Sequence, residues 1–385
     1  MKNIIHNIRT SCVITGDDEV ETLSKINNFP IFIGSTSKKH DEDLFSDMIF
    51  DISKKCGVIQ LKNTIDPNLI YSGYHSEAIG NVWETHHLEF SKLISKIINT
   101  HKIKRVLEIG GSTAKLAKII LSQTNLINEW SIIEPNIPNI DETLDKRINF
   151  INDFFDSDKI NGEYDLILHS HTIEHIYEPN NFLLDINKSL STEGFHIFSV
   201  PNLFSYLKNK FVNTLNFEHT IFLTEEIIDY LMNKNNFIVL EKVKYLEHSI
   251  FYLTQKSPHT QNMTPPQKYE EYKSMFLEYI NFYKDVVIDL NNKMKSINGG
   301  VYLFGGHIFS QFLISMGLNT EKIIYILDNS LIKHNTRLYG TNLIIKNPKQ
   351  IDLSDNSIII LKVGNYRDEI VSDLLSINPN IILWE

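Results

Sequence analysis

The chain has 385 residues, 42% hydrophobic and 22% charged, with 47 acidic against 37 basic side chains and a formal net charge of −10. That length exceeds one ordinary core and that composition is globular, so two or three domains are expected. The acidic balance, with no basic tract, argues against nucleic acid as a partner, and no apolar run is long enough to span a membrane.

Only two cysteines occur, Cys12 and Cys56, so a secreted disulfide framework is not expected. The opening MKNIIHNIRTSC lacks the apolar stretch of a signal peptide, and a cytoplasmic location is the expectation. Nothing in the pattern specifies an oligomeric state.

Residues 1–84 read as an irregular module, with short strand-like pieces at 30–34 and 57–61 between polar stretches. A helix is predicted from about Trp83 to Thr100, where Leu88, Leu93, Ile94, Ile97 and Ile98 fall largely on one side. Strands and helices then alternate. Strands are predicted at 105–109, 130–133, 148–152, 164–169 and 195–200, with helices near 114–123 and 179–190. This order implies a parallel sheet with right-handed crossovers, an α/β architecture. A strand pair over 237–253 closes the central unit, taken as 85–255. A proline-bearing linker and a long amphipathic helix, 269–297, fill 256–298, with Met275, Phe276, Tyr279, Phe282 and Val286 on its apolar side. The helix reads as a brace between domains. The strand-helix theme recurs over 299–385 as a second, smaller Rossmann-like unit, and no tandem repeat is visible.

The strongest local signal is VLEIGGSTAKLA, Val106 to Ala117. A buried strand carrying Glu108 empties into Gly110-Gly111-Ser112, which opens a helix. Such a turn lets the backbone approach a ligand and presents free N–H groups to an anion. It is not a dinucleotide fingerprint, because Ser112 and Lys115 fill the later glycine positions, which weighs against a nicotinamide dehydrogenase. The second strand ends at Glu134, where a carboxylate can accept from both hydroxyls of a ribose. The third is followed by Asp153-Phe154, an acid and a ring suited to bond and stack an adenine. The fourth ends at His169, whose backbone could meet the cofactor's amino group.

Glycine turn, ribose acid and adenine acid in this order resemble the class I methyltransferases, which implies S-adenosylmethionine as cofactor. SHTIEHIYEPNNFL and FSVPNL match the next stations. The whole layout is similar to the sugar C-methyltransferases that act on nucleotide-linked deoxysugars. The likeness is carried by CGVIQLKNTIDPNLIYSGYHS, NFEHTIFLT, VYLFGGH and LDNSLIKHNTRLYGT. That family joins a zinc module, a methyltransferase core and a C-terminal Rossmann-like domain that helps hold the nucleotide-sugar. By the resemblance, Tyr71, Tyr74 and His75 belong to a stretch that folds over the cofactor.

Two departures bear on chemistry. The family's paired Cys-x-x-Cys motifs read here as Cys12-x-x-Thr15 and Ser53-x-x-Cys56. Half the thiolates are gone, so the module is expected to have lost its zinc, with His40 the one nearby residue that could rescue a weak site. The family's Tyr-His-Glu-His, whose tyrosine is implicated in deprotonation for C-methylation, reads Asn216-Phe217-Glu218-His219. A hydroxyl asks for less than a C–H group, since one near-neutral imidazole can take its proton. The expected reaction is methylation of a hydroxyl on a nucleotide-activated sugar for a surface polysaccharide. Sugar C-methylation and a non-catalytic scaffold or regulatory subunit are the alternatives. His219 is the candidate base, Glu218 its orienting partner and His175 the second candidate.

Asn216, Gly306, His307, Asn329, Lys333 and Arg337 are the candidate substrate contacts, the last five around a phosphate or pyrophosphate. His169, His171, His175 and His219 form a histidine-rich set. A divalent ion at His171, His175 and His219 is conceivable. Their spacing matches no recognised ligand pattern, so no metal is expected.

Overall fold

The computed structural model describes residues 4–71, 81–137, 144–257 and 263–385. Tyr74 and His75 lie outside them.

The centre is a seven-stranded sheet. Its strands are β1 (Arg105–Ile109), β2 (Glu129–Ile133), β3 (Ile148–Ile151), β4 (Tyr164–Ser170), β5 (Leu190–Pro201), β6 (Phe237–Tyr245) and β7 (Ser249–Lys256). They lie in the order β6-β7-β5-β4-β1-β2-β3. β1 to β5 run parallel, and β7 pairs antiparallel with both β5 and β6. β1 and β4 are buried on both faces and read as near-continuous apolar runs, as a covered parallel sheet requires. The strand order reverses between β1 and β4, and ligands of such sheets bind beyond the carboxyl ends of the strands at that switch point. Helix α1 (Asn81–His101) packs on one face through Phe90, Leu93, Ile94, Ile97 and Ile98. Leu88, predicted on that apolar side, is 50% exposed.

The N-terminal residues are not irregular. They build a four-stranded antiparallel sheet from Val20–Pro30, Phe45–Ser53, Ile59–Leu61 and, from far along the chain, Ile221–Phe222. Sequence patterning missed the long strand Val20–Pro30 because its register shifts between Thr22 and Ser24 and again between Ile26 and Phe29. Each shift breaks the two-residue alternation that reveals a strand. Cys12 and Cys56 are buried with their sulfurs 3.8 Å apart. His40 packs against Phe45, and among the described residues no His, Asp or Glu joins the two thiols at ligand spacing.

The long helix runs Tyr269–Lys295, and its buried face is rotated from the predicted one. Tyr272, Phe276, Tyr279, Tyr283, Val287 and Leu290 point inward, whereas Phe282 is 38% exposed and Met275 and Val286 are only partly buried. Its rings touch both flanking units: Phe276 meets Phe50 at 5.0 Å, and Tyr283 meets Phe312 at 5.0 Å. The C-terminal sheet has five parallel strands, ordered Ile345–Lys346, Ile323–Leu327, Val301–Phe304, Ile358–Ile360 and Ile382–Trp384. It joins the N-terminal module where Arg337–Leu338 pairs antiparallel with Ser35–Thr36.

Arg337 there is a structural clamp. Its guanidinium grips Asp43 through two bonds of 2.6 and 2.7 Å, and its other N–H groups donate to the carbonyls of Lys38, Lys39 and Thr341. Both side chains are buried. Asp43→Asn leaves a buried guanidinium without its counter-charge, and should cost about 3–5 kcal/mol. Thermal melting should register a lower midpoint, and Asp43→Leu combined with Arg337→Met should recover most of the loss.

Glu108 on β1 is 5% exposed and accepts a 2.8 Å bond from Trp130 Nε1. Burial pushes its carboxyl up to about 8, against the Trp130 bond and with the aid of the Glu134 charge. A folded pKa raised above the ordinary 4.5 means stability present in full below that value and lost as pH climbs through about 8. Glu108→Gln should therefore be more stable than the parent near about pH 9 and no more stable near about pH 4. Urea unfolding at the two pH values checks this.

Candidate active site

The turn after β1 needs its glycines. Gly110 sits at φ +74, and a Cβ on Gly111 would lie 2.8 Å from Ile132 and 2.9 Å from the Glu108 side chain. Ser112 and Ala114 also adopt positive φ, so the chain coils tightly before the helix α2 (Lys115–Leu121) begins. Glu108 thus lies under the turn and braces it through Trp130, rather than lining the crevice as a ligand contact.

Glu134 follows β2, and its carboxylate accepts from the Ser112 amide at 3.3 Å and the Asn136 amide at 3.0 Å. Glu134 and the glycine turn are therefore in direct contact at the carboxyl ends of β1 and β2. Asp153 accepts from Phe154 N–H and from Lys159 at 2.7 Å, and these partners hold its carboxyl below the usual range, Lys159 first. Phe154 is 37% exposed, its ring edge-on to Tyr71 at 5.8 Å. A turn crowded by any Cβ, an acid at the ribose station and an exposed ring beyond β3 fit an adenosyl ligand.

His169 does not end its strand. Its peptide pairs with Ile109 and Phe198, and β4 continues to Ser170. Its ring is buried inside the sheet, 3.1 Å from His196. The backbone at the crevice belongs to Ser170, His171 and Thr172 instead.

Beyond β4 and β5 a second group of side chains gathers. His175 and His219 meet edge-to-face at 4.6 Å, and Glu174 offers a carboxylate oxygen within 4.8 Å of both. The short helix Pro67–Ile70, capped by Asp66, delivers Tyr71, whose hydroxyl is 3.3 Å from His175 Nδ1. Beside them a void of about 10 Å³, lined by Glu174, Val200, Leu203, Thr214 and His219, has room for one water.

His219 Nδ1 bonds the Thr214 carbonyl at 2.9 Å. Since a carbonyl only accepts, Nδ1 carries the proton and Nε2 keeps its lone pair. Thr214, not Glu218, therefore sets the tautomer. Burial lowers the His219 pKa, opposed by Glu174, Glu218 and the Thr214 bond. Asn216 is turned inward: its Oδ1 accepts from the amides of Glu218 and His219 at 2.9 and 3.0 Å, shaping the loop rather than reaching outward. The loop is held next to Thr220, where Ile221 pairs with Gln60 of the N-terminal sheet. Arg9, 5% exposed, donates to the carbonyls of Leu61, Tyr177 and Thr220.

Glu174, Thr214 and Arg9 were not legible in the sequence. Glu174 lies in a histidine-rich stretch that draws attention to its neighbours, and Thr214 acts through its backbone. The set His171, His175, His219 does not converge. His175 and His219 group with Glu174, while His171 groups with His86 and His248.

The C-terminal donors are not open to a phosphate. Gly306 N–H and Lys333 Nζ both meet Asp328 Oδ2, at 2.8 and 3.1 Å. Asn329 donates to Asp373, and Arg337 is held by Asp43. His307 stands at the start of the helix Ile308–Ser315. Internal carboxylates thus occupy the positions an anion would take, which corrects the sequence-based expectation for Gly306, Asn329, Lys333 and Arg337.

Residues 82–242 match a family model described as a methyltransferase domain. No curated protein matches the chain. Similar solved structures include the N-methyltransferase NodS from Bradyrhizobium japonicum WM9, at 12% identity over 46% of this chain and 97% of that one, with a TM-score of 0.35. Another is a 1,6-didemethyltoxoflavin-N1-methyltransferase from Burkholderia thailandensis, at 14% identity over 47% and 93%, TM-score 0.35. A third is the magnesium protoporphyrin IX methyltransferase from Synechocystis PCC 6803, at 13% over 48% and 91%, TM-score 0.36. The match to a methyltransferase domain falls on the central sheet, and the cofactor that goes with such a domain is S-adenosylmethionine.

Proposed function

We propose that the chain methylates a hydroxyl of a nucleotide-activated sugar, with His219 as the base. The observation that carries this reading is the Nδ1 bond of His219 to the Thr214 carbonyl, which leaves Nε2 as an acceptor in a ring grouped with His175 and Glu174. S-adenosylmethionine supplies an electrophilic methyl group. What the chain must add is alignment of a hydroxyl and a place for its proton, and alignment is a large source of rate. His219 Nε2 takes the proton. Burial keeps this imidazole neutral near pH 7, as a base must be.

Tyr71 supplies the phenol that Asn216 lacks in the Tyr-His-Glu-His position, but not as a base. Burial, and the charges of Glu218, Glu134 and Glu174, raise its pKa well above the ordinary range. A phenol kept protonated can position His175 or a sugar oxygen and cannot deprotonate carbon. This favours oxygen over carbon as the acceptor. The sugar itself rests on the resemblance to the nucleotide-sugar enzymes. With the C-terminal donors already neutralised, the C-terminal unit serves this reading as a brace, through the long helix and the Asp43–Arg337 clamp.

His219→Ala should cut turnover roughly 100-fold or more and leave S-adenosylmethionine affinity within a few-fold. In the parent, turnover should be flat through neutral pH and fall only as pH drops through a value below the ordinary 6.5 of histidine. Glu134→Ala should do the reverse, weakening S-adenosylmethionine binding roughly tenfold or more at little cost to turnover at saturation. Calorimetry reads the affinity, and release of S-adenosylhomocysteine against a nucleotide-sugar panel reads the turnover. A methyl found on carbon would replace hydroxyl methylation with C-methylation. Cofactor binding without turnover on any member would leave a scaffold.

A further inference from the structure

The methyltransferase reading makes no use of a second histidine cluster. His86 on the first turns of α1, His171 just beyond β4 and His248 in the turn between β6 and β7 each offer a ring nitrogen, all within 4.8 Å of one another. Ring centroids are 5.2 Å apart for His86 and His171, 5.5 Å for His171 and His248, and 5.7 Å for His86 and His248. Trp83 closes one side, edge-on to His171 at 4.8 Å and to His248 at 4.7 Å. Phe251 and Tyr245 flank His86.

Three features set this cluster apart from ordinary packing. His86 has no exposed surface, and neither of its ring nitrogens has a hydrogen-bond partner. An imidazole buried in that state is costly unless something accepts its lone pair or proton. His171 Nε2 and His248 Nδ1 both point at one spot, the Ser249 hydroxyl, at 2.9 and 2.6 Å. The third feature is a buried carboxyl behind the cluster. Glu174 is 3% exposed, its oxygens accept no hydrogen bond, and Oε1 lies 3.4 Å from Nδ1 of His171. His171 itself holds φ +50, a left-handed conformation that is uncommon for a residue with a side chain.

We infer that His86, His171 and His248 form a three-histidine site for a divalent transition ion of the zinc or cobalt class, backed by Glu174. Imidazoles suit these ions, and three protein nitrogens leave a fourth position for water or the Ser249 oxygen. One cation answers both groups: it takes the lone pair of His86, and its charge favours the ionised form of the Glu174 carboxyl. The carboxylate behind His171 is the usual outer partner of a metal-bound imidazole. Such an ion ties α1, the loop after β4 and the β6–β7 turn together at the edge of the crevice. It stands apart from the Glu174–His175–His219 group, to which only Glu174 is common.

The test uses the full chain, stripped with a chelator and titrated with Co²⁺ or Zn²⁺ alone. One ion should bind per chain, raise the melting temperature, and give a cobalt spectrum without a thiolate charge-transfer band. His86→Gln and His248→Gln should each weaken binding roughly 100-fold or more, whereas His219→Ala should leave it unchanged. X-ray absorption on the zinc-loaded parent, which depends on no variant folding, should find imidazole nitrogen and no sulfur. Absence of saturable binding overturns the site. So does a sulfur shell, which assigns the ion to Cys12 and Cys56, or a loss in His219→Ala with retention in His86→Gln.

Discussion

The geometry of the active site depends on one buried guanidinium and the strand it secures. Arg9 donates to carbonyls on three separate segments, at Leu61, Tyr177 and Thr220. Burial lowers its pKa to about 10, with Glu178 opposing, so it stays charged. A buried charge is tolerable only when its donors are satisfied, and these carbonyls satisfy them. The consequence is that Thr220 is fixed, Ile221–Phe222 joins the N-terminal sheet, and His219 is held one residue before that anchor. The N-terminal module therefore has a positional role that needs no ion: it supplies the strand Ile59–Leu61 against which the loop carrying His219 is registered.

Around that loop and under the glycine turn, solvent exclusion sets the charge states. Burial moves imidazoles down and carboxyls up, because both shifts favour the neutral form. His219 is lowered, Glu174 is pushed up to about 7 and Glu108 to about 8. Deeper in the sheet, His196 is pushed down to about 3 and packs nearly parallel to Phe198. It bonds His169 across 3.1 Å. A neutral pair can share one proton donor and one acceptor, so these two histidines behave as core residues. The same residue type serves as packing at His196 and as a proposed base at His219. The difference lies in what each ring nitrogen meets.

The C-terminal unit makes the same point with cations. Lys333 and Arg337 have the chemistry of phosphate binders, yet each faces a carboxylate of its own chain. Asp328 also takes the Gly306 amide, closing the turn where an anion would enter. A guanidinium bound bidentately and buried is worth more as a fastener between the N- and C-terminal units than as a reversible ligand contact. Together with Phe276 and Tyr283 on the long helix, it ties the flanking units to each other.

Features set by neighbours in sequence could be read from the chain alone. The parallel sheet, the glycine turn and Glu134 were legible because apolar runs, glycine pairs and strand-end acids carry local signatures. Features set by long-range contact could not. The strand Val20–Pro30 was hidden by its bulges, and the inward face of the long helix was decided by what packs on it. The functions of Arg337, Glu108 and Asn216 were decided by partners that sequence order does not reveal. His86 and His248 lie far apart along the chain and meet only because α1 and the β6–β7 turn pack at one end of the sheet. Tertiary structure alone determines which polar group a buried side chain faces, and that pairing determines whether the side chain braces the fold, holds a ligand or moves a proton.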